Sequence, residues 1–559
     1  MNQTCRQCQS AFEIDNADLA FYEKVSPILN GKKELIPPPT LCPQCRSVRR
    51  MMWRNERSLY TKKCDLCGKN KVSAFTPDSP LHTYCHDCFF SDAWDGISYG
   101  RPVDFSVSFF ENLSKLFLDT PIQILFQTGN NENCDYMNFA GVECKNCYLI
   151  FNSGHDEDCY YSRGLIESKD CMDMLIGSGN ELCYECTNCS DNYHLLFSQN
   201  SAQCSTSAFL FNCRRCKHCF GCTNLVEKEY HLFNQPCTKE EFEDAMSHLR
   251  SHHYIVSTEE KMKQMRLDCI HRATNNINTE SCTGDYIVES KNCTECYEAK
   301  GAEDCKWMTC SKLCKDSYDL FGFAYDSELL YECVGVGLSN TAAFSFTSST
   351  ISDSYYCLYC DNVKNCFGCV SLMHKEYCIL NKQYTKEEYE ELVPKIIEKM
   401  RADHEYGEFL PQSLSPFSYN ETIAQEYFPS TKEAITEKSW RWSEYEAPLP
   451  HVEKIIKAQD LPDTINDTPD DILHWAIECE ATKRPFKILK QELDFYRNLG
   501  ISIPRLHPDE RHRQRMKLRN PCTIWNRACA KCQNPIATSY APDRTEIVYC
   551  ESCYLETVY

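Results

Sequence analysis

The chain has 559 residues, with 80 acidic against 59 basic side chains, a formal net charge of −21 and 41 cysteines. That length allows several domains at ~150 residues each. The acidity excludes a protein that coats nucleic acid over its whole surface, though not a local basic site, because charge can be segregated.

The opening MNQTCRQCQSAF has no basic n-region and no apolar h-region, and no apolar run approaches the ~18 residues needed to span a bilayer. The expectation is a cytoplasmic chain without membrane contact, whose reduced cysteines bind metal rather than form a disulfide framework. Residues 1–58 carry Cys5-x2-Cys8 and Cys42-x2-Cys45, a complete four-thiolate set. Residues 59–128 hold a second set, Cys64-x2-Cys67 and Cys85-x2-Cys88, followed by a connector. Two C-x2-C pairs at such spacing are what a tetrahedral zinc site needs. Asp92 and Asp95, in SDAWDG, admit a carboxylate site but fit a turn around Trp94 better.

The middle is a duplication. ELCYEC (181–186) returns as ELLYEC (328–333), and CFGCTNLVEKEYHLFNQPCTKEEF (219–242) as CFGCVSLMHKEYCILNKQYTKEEY (366–389). Roughly 130–245 and 280–395 are therefore two copies of one unit. A finer step of twelve runs inside each, through Cys147, Cys159, Cys171 and Cys183, and through Cys333, Ser345, Cys357 and Cys369. Short alternating segments at a fixed period predict a β-solenoid, with solenoid unit 1 over 129–235 and unit 2 over 279–384. Twelve residues fit half a coil or one small coil. A chain of zinc knuckles is the alternative, but Cys183, Cys189, Cys204 and Cys216 stand opposite Leu330, Val336, Ile351 and Val363. A ligand replaced by an aliphatic residue is not essential to a fold, so these four read as buried core thiols. The trio Cys213, Cys219 and Cys222 keeps its partners Cys360, Cys366 and Cys369, and a metal or cluster there stays open. Thr238 with Glu241, and Thr385 with Glu388, form capping boxes that open helices closing each solenoid end. The helical cap of unit 1 spans 236–278. In the segment 385–475 the helix meets Pro394, which predicts a bend, and then an aromatic- and proline-rich connector. TPDDI (468–472) reads as a helix start with Pro469 in its first turn.

Residues 476–559 repeat the beginning. RNERSLYTKKCDLC (54–67) returns as RNPCTIWNRACAKC (519–532), and a third zinc set, Cys529, Cys532, Cys550 and Cys553, matches the second. CPQCRSVRRMMWRN (42–55) lines up with HPDERHRQRMKLRN (507–520). Where the first copy has Cys5, Cys8, Cys42 and Cys45, the last has Cys479, Thr482, His507 and Glu510. Thr is no zinc ligand, so this place is expected to be metal-free, and three structural Zn2+ ions are expected in all. Arg46, Arg50 and Arg54, and their matches Arg511, Arg515 and Arg519, are spaced by four and form one stripe on a helix. Two readings stay open: phosphate binding beside a zinc knuckle, or pairing with the protein's own carboxylates.

Cys5-x2-Cys8-x3-Phe12, Phe21-Tyr22, and Cys42-x2-Cys45-Arg46 resemble the short bacterial "probable zinc-ribbon" domain, over about residues 5–50 and again, with ligands lost, over 479–515. The whole chain also resembles long cysteine-rich bacterial proteins of unassigned function. The first resemblance implies a small zinc-held fold; neither supplies a catalytic residue.

There is no Walker loop, dinucleotide fingerprint, G-x-S-x-G or H-E-x-x-H. His252 and His253 read as solvated surface, and Asp470 and Asp471 as first-turn helix charges. Exposed C-x2-C pairs also run thiol exchange, but four thiols together favour structural zinc. The expected fold is mainly β with peripheral helices: a duplicated cysteine-rich β-solenoid-like middle flanked by related zinc-ribbon or treble-clef-like modules. The expected function is a non-catalytic, zinc-stabilised binding or scaffold protein; if it has a nucleic-acid surface, that surface is expected on the arginine helices. The alternatives are a solenoid enzyme acting on a glycan or other polymer, and a protein–protein adaptor.

Overall fold

A triplet governs the backbone of the middle. Asn146, Leu149, Asn152, His155 and Asp158 all take the left-handed conformation, with φ of 52, 53, 53, 58 and 52°. Between them alternate a residue that points inward, such as Cys144, Cys147 and Ile150, and one that bridges to the next turn, such as Lys145 and Tyr148. Four such triplets complete one turn of chain. Successive turns pair in parallel, Lys145 with Glu157, Glu157 with Lys169 and Lys169 with Glu181, so one coil takes twelve residues. In the second copy the step widens to thirteen where Lys312 pairs Tyr325 and Tyr318 pairs Tyr331, then returns to twelve at Asn340 and Ser352.

A coil this small has a narrow interior, and the inward residues are chosen for it. Cys159, Cys171, Cys183, Cys186 and Cys189 are 0% exposed. Each thiol lies near two carbonyls, one two residues back and one nine residues on. Cys159 Sγ is 3.3 Å from the Glu157 oxygen and 3.5 Å from that of Ser168, and Cys186 Sγ is 3.4 Å from those of Tyr184 and Leu195. Serine plays a related part: Ser162 Oγ donates to the Tyr160 carbonyl and accepts the Met174 N–H of the next coil, at 2.8 and 3.0 Å. A small side chain that satisfies a buried carbonyl suits a space too narrow for most aliphatic residues.

The computed structural model describes every residue except Phe323, Ala447, Leu449 and Pro450, and the backbone alone of Thr128. The chain forms two compact units, each discontinuous. One comprises 1–126, 274–444 and 522–524; the other 127–273, 445–521 and 525–559. The first module thus belongs with the second coil, and most of the C-terminal module with the first coil.

In the first unit, parallel strands run from Lys312–Lys315 through Tyr325–Val334 and Ser349–Tyr355 to Met373–Ile379, closed by an antiparallel turn at Lys382–Gln383. The helix Lys386–Ala402 follows. Its capping box is complete: Thr385 Oγ1 accepts the Glu388 N–H, and Glu388 accepts that of Thr385. The helix continues through Pro394 rather than ending there. The module contributes the helices Asn16–Val25 and Pro43–Met51.

The second unit closes its coil in the same way at Gln235–Pro236, with the Thr238–Glu241 capping box opening Lys239–Ser247. That helix does not run on to His253. A 3-10 turn at His248–Arg250 intervenes, and Ser251 caps a new helix, His252–Asp268. Pro469 caps a 3-10 turn, Asp470–His474, instead of lying inside a helix. Lys490–Leu499 and Pro508–Lys517 repeat the two module helices. Leu196, Phe209 and Phe220 of the coil share a core with Leu249 and Met262 of the cap and Leu493 and Tyr496 of the module. Among the described residues no helix is long and apolar enough to cross a membrane.

Candidate metal centres and buried arginine clusters

Four places in the chain share one local design. A short strand runs into a knuckle whose first thiol accepts backbone N–H groups, and a helix supplies the last two positions. Cys5, Cys64, Cys529 and Cys479 each donate their N–H to the carbonyl five residues on, at 2.9, 3.0, 2.8 and 3.0 Å. Each knuckle turns through a left-handed residue: Gln9, Gly68, Gln533 and Lys483, with φ of 63, 71, 62 and 61°. The helix N-caps are Cys42, Cys85, Cys550 and His507. From three of these caps an N–H points at the first thiol: Cys85 to Cys64 at 3.3 Å, Cys550 to Cys529 at 3.2 Å and His507 to Cys479 at 3.2 Å.

In three of the four, the thiols converge. Cys5, Cys8, Cys42 and Cys45, then Cys64, Cys67, Cys85 and Cys88, then Cys529, Cys532, Cys550 and Cys553, each place four sulfurs within 4.8 Å of one another. Among the described residues no other group of three or more His, Cys, Asp or Glu side chains does so. All the cysteines are free thiols. The surroundings favour thiolate at part of each quartet, whereas the hydrogen bond with the neighbouring thiol pushes Cys45 and Cys553 up, and burial pushes Cys88 up. The Cys42 thiol is drawn down to about 6, chiefly by the hydrogen bond from Cys45. Burial pushes Cys64 and Cys529 up, but the backbone N–H groups aimed at them hold Cys64 at about 7 and Cys529 at about 6. Three four-thiol sites able to hold a metal ion are therefore present.

The fourth knuckle keeps the turn and loses the site. The Cys479 thiol takes its two N–H groups, from Thr482 and His507. His507 Nδ1 accepts the Asp509 N–H at 3.1 Å, and Glu510 pairs with Arg513. Among the described residues the central trio does not converge as the quartets do. Cys213, Cys219 and Cys222 lie 3.5, 3.3 and 3.3 Å from the carbonyls of Phe211, Lys217 and Phe220, as inward members of the coil. Asp95 caps a 3-10 turn and pairs with Lys375 at 3.1 Å, and Asp92 joins no metal group. His252 is half-buried, and burial lowers its pKa; it and His253 lie in the first turn of a helix.

The arginine stripes are corrected by the structure. Five of the six face inward, Arg46, Arg50, Arg511 and Arg515 against carboxylates of the coil and Arg54 against Glu56, so these five offer no solvent-facing phosphate site. Arg46, Arg50, Arg54, Arg511 and Arg515 are 1, 1, 0, 4 and 2% exposed. Arg46 reaches Asp319 at 2.9 Å, and Arg50 reaches Asp319 at 2.9 Å and Glu332 at 3.1 Å. Arg49 joins Glu332 at 2.7 Å and Glu408 at 2.5 Å, and Arg54 pairs with Glu56 at 2.7 Å. In the second unit Arg515 reaches Asp173 at 2.8 Å and Glu185 at 2.7 Å, and Arg511 reaches Asp173 at 3.2 Å. Arg519 is half-buried, with Met516 Sδ at 3.9 Å.

The two clusters are one design used twice. Asp173 and Glu185 hold in the first coil the places of Asp319 and Glu332 in the second. Arg46 lies 4.7 Å over the Trp307 ring and Arg511 5.1 Å over Tyr161; Tyr22 meets Tyr331 at 5.2 Å and Tyr496 meets Tyr184 at 5.5 Å. The carboxylates were not singled out from sequence, although Glu185 and Glu332 are the Glu of the repeated Tyr-Glu-Cys. Burial lifts Glu185 to about 7 even as Arg515 pulls it down.

No family model matches the chain, and no curated protein matches it. Among solved structures, one described as "putative acetyltransferase from Desulfovibrio desulfuricans G20" is similar at 9% identity and a TM-score of 0.11, over 43% of this chain and 63% of that one. The chain spans less than two thirds of that protein, and a superposition so slight carries no argument.

Proposed function

We propose that the protein is a zinc-stabilised, non-catalytic scaffold, in which zinc-ribbon-like modules pin helices onto the faces of two β-solenoid coils. The observation that carries this is the geometry of the quartets. Zinc–sulfur bonds of about 2.3 Å in a tetrahedron set sulfurs about 3.8 Å apart. The separations Cys8–Cys42, Cys67–Cys85 and Cys532–Cys550 are 3.6, 3.9 and 3.8 Å. Four protein thiolates fill a tetrahedral ion's positions and leave none for water, which supports a structural rather than a hydrolytic role. Free thiols throughout support a reducing, cytoplasmic setting. The zinc-ribbon resemblance of the modules accords with the four shared knuckles, and the twelve-residue parallel rungs with a solenoid.

Five of the six arginines considered for phosphate contact are buried in internal ion pairs and so do not support a nucleic-acid surface at those positions. Elemental analysis of the purified chain tests the reading. Three zinc ions per chain are expected; iron, or no metal with the quartets oxidised to disulfides, overturns it.

One observation favours a second reading, a solenoid that binds or cuts a glycan or other polymer. A shallow depression of about 550 Å³ on the first coil gathers Glu181, Asp191, Gln203 and Arg215 around Tyr193, whose ring is 48% exposed. Glycan-array binding lost in Tyr193→Ala supports that reading; an array without binding removes it.

A further inference from the structure

We infer that the first thiol cluster is a latch: metal held by Cys5, Cys8, Cys42 and Cys45 keeps the arginine helix Pro43–Met51 docked on the second coil, whereas the other unit docks its counterpart without metal. This rests on the zinc reading above.

The cluster and the dock share a helix. Cys42 caps Pro43–Met51 and Cys45 lies in its first turn. Arg46 follows at once, and Arg49 and Arg50 one turn later, all three engaged with Asp319 or Glu332. A second path joins them. The Arg6 N–H, inside the first knuckle, donates to the Thr40 carbonyl at 3.0 Å. Thr40 Oγ1 donates to one oxygen of Glu408, and Arg49 to the other, both at 2.5 Å. A change in the cluster therefore reaches the arginines through the helix and through Glu408.

The ligands make up most of the small core around the knuckle itself, which consists of Cys5, Leu41, Cys42 and Cys45 with Phe12 against them. Its hairpin has two strands, Asn2–Thr4 and Ala11–Glu13. The metal-free knuckle of the second unit is built otherwise. Its hairpin, Trp475–Glu478 with Pro485–Phe486, gains a third strand, Lys454–Lys457, paired in parallel. Ile477, Cys479, Phe486 and Ile488 belong to a large core with Leu493, Tyr496, Ile501 and Ile503. The added strand takes the place of the ion. The same docking chemistry thus exists in one chain in a metal-held and a packing-held form. Metal loss frees Pro43–Met51 and bares Asp319 and Glu332, both 0% exposed when docked.

The test uses the full chain and hydrogen–deuterium exchange read by mass spectrometry. Cys8→Ser removes the exposed member of the quartet and so leaves no cavity. Peptides 43–52 and 318–333 are expected to exchange at least tenfold faster than in the wild type, while 508–517 and 172–186 stay within twofold. Coupling is reciprocal, so Glu332→Gln, far from the thiols, is expected to weaken zinc binding at the first site at least threefold in competition with a chromophoric chelator. Wild-type protection at 43–52 in Cys8→Ser, an equal rise in all four peptides, or unchanged affinity in Glu332→Gln overturns the latch while three bound zinc ions leave the zinc reading standing. A native chain free of metal overturns both.

Discussion

Asp319→Ala is the sharpest probe of how the modules are held. Asp319 is 0% exposed and carries both Arg46 and Arg50, at 2.9 Å each. Removing one partner of a buried ion pair costs about 3–5 kcal/mol, since the remaining charge sits uncompensated in a dry site. Glu332 remains 3.1 Å from Arg50 and 3.9 Å from Arg46. The loss should therefore lie at the lower end, about 3 kcal/mol. Asp173→Ala should cost about the same, because Arg515 keeps Glu185 at 2.7 Å and Arg511 keeps Glu492 at 3.7 Å. A chain of two units does not unfold in one step, so the assay is pulse proteolysis across a urea series, with peptides of each unit read separately. Arg46→Met, Arg50→Met and Glu332→Gln added to Asp319→Leu leave the Arg49–Glu408 pair balanced and should recover stability to within about 1 kcal/mol of the wild type. A loss below about 1 kcal/mol for Asp319→Ala, the value of an exposed pair, would refute burial of the cluster.

Three further outcomes are expected. In the metal-free protein the Cys64 thiol, at about 7, lies below the free value of 9.0. A depressed folded-state value stabilises above the unfolded one and is lost as pH falls through the folded one, so the urea midpoint of the first unit should drop on acidification from pH 9 to 6 and level off below; a flat profile contradicts it. Gly177→Ala should cost about 1–3 kcal/mol in thermal unfolding, because a Cβ there would sit 2.3 Å from the Cys189 carbonyl and 2.8 Å from Asn180 Nδ2, which bonds that carbonyl. Cys189→Val, which copies Val336 of the second coil, should change stability by less than about 1.5 kcal/mol in the same measurement; a larger loss means the thiol does more than fill space.

The period of twelve was legible because an inward position must recur once per coil, and Cys147, Cys159, Cys171 and Cys183 mark it. Whether twelve meant a whole coil was not legible; the rungs Glu157–Lys169–Glu181 show that it does. The triplet beneath it was hidden. Left-handed backbone favours glycine and asparagine, yet Leu149, Tyr161 and Phe197 adopt it at φ of 53, 55 and 51°, held there by pairing on either side. The quartets were legible because ligand spacing is local. Arg46 with Arg50, and Arg511 with Arg515, do share a helix, whereas Arg54 and Arg519 fall past the helix ends; what the arginines face was left open, since Asp319 lies 273 residues beyond Arg46. The break after Ser247 was missed because Ser251 is a cap set inside an otherwise helical pattern.

The pairing of the first module with the second coil has a consequence during synthesis. Arg46 and Arg50 leave the ribosome 273 and 282 residues ahead of Asp319 and Glu332, a delay on the order of tens of seconds at 5–20 residues per second. Throughout that wait the nascent module has no dock and must hold its shape alone, and it is the module with a full set of thiols. Its twin emerges when Asp173 and Glu185 have long been in place, and can settle on them at once. The full thiol set thus lies on the copy that emerges before its dock, and the replaced positions Thr482, His507 and Glu510 lie on the copy that emerges after it.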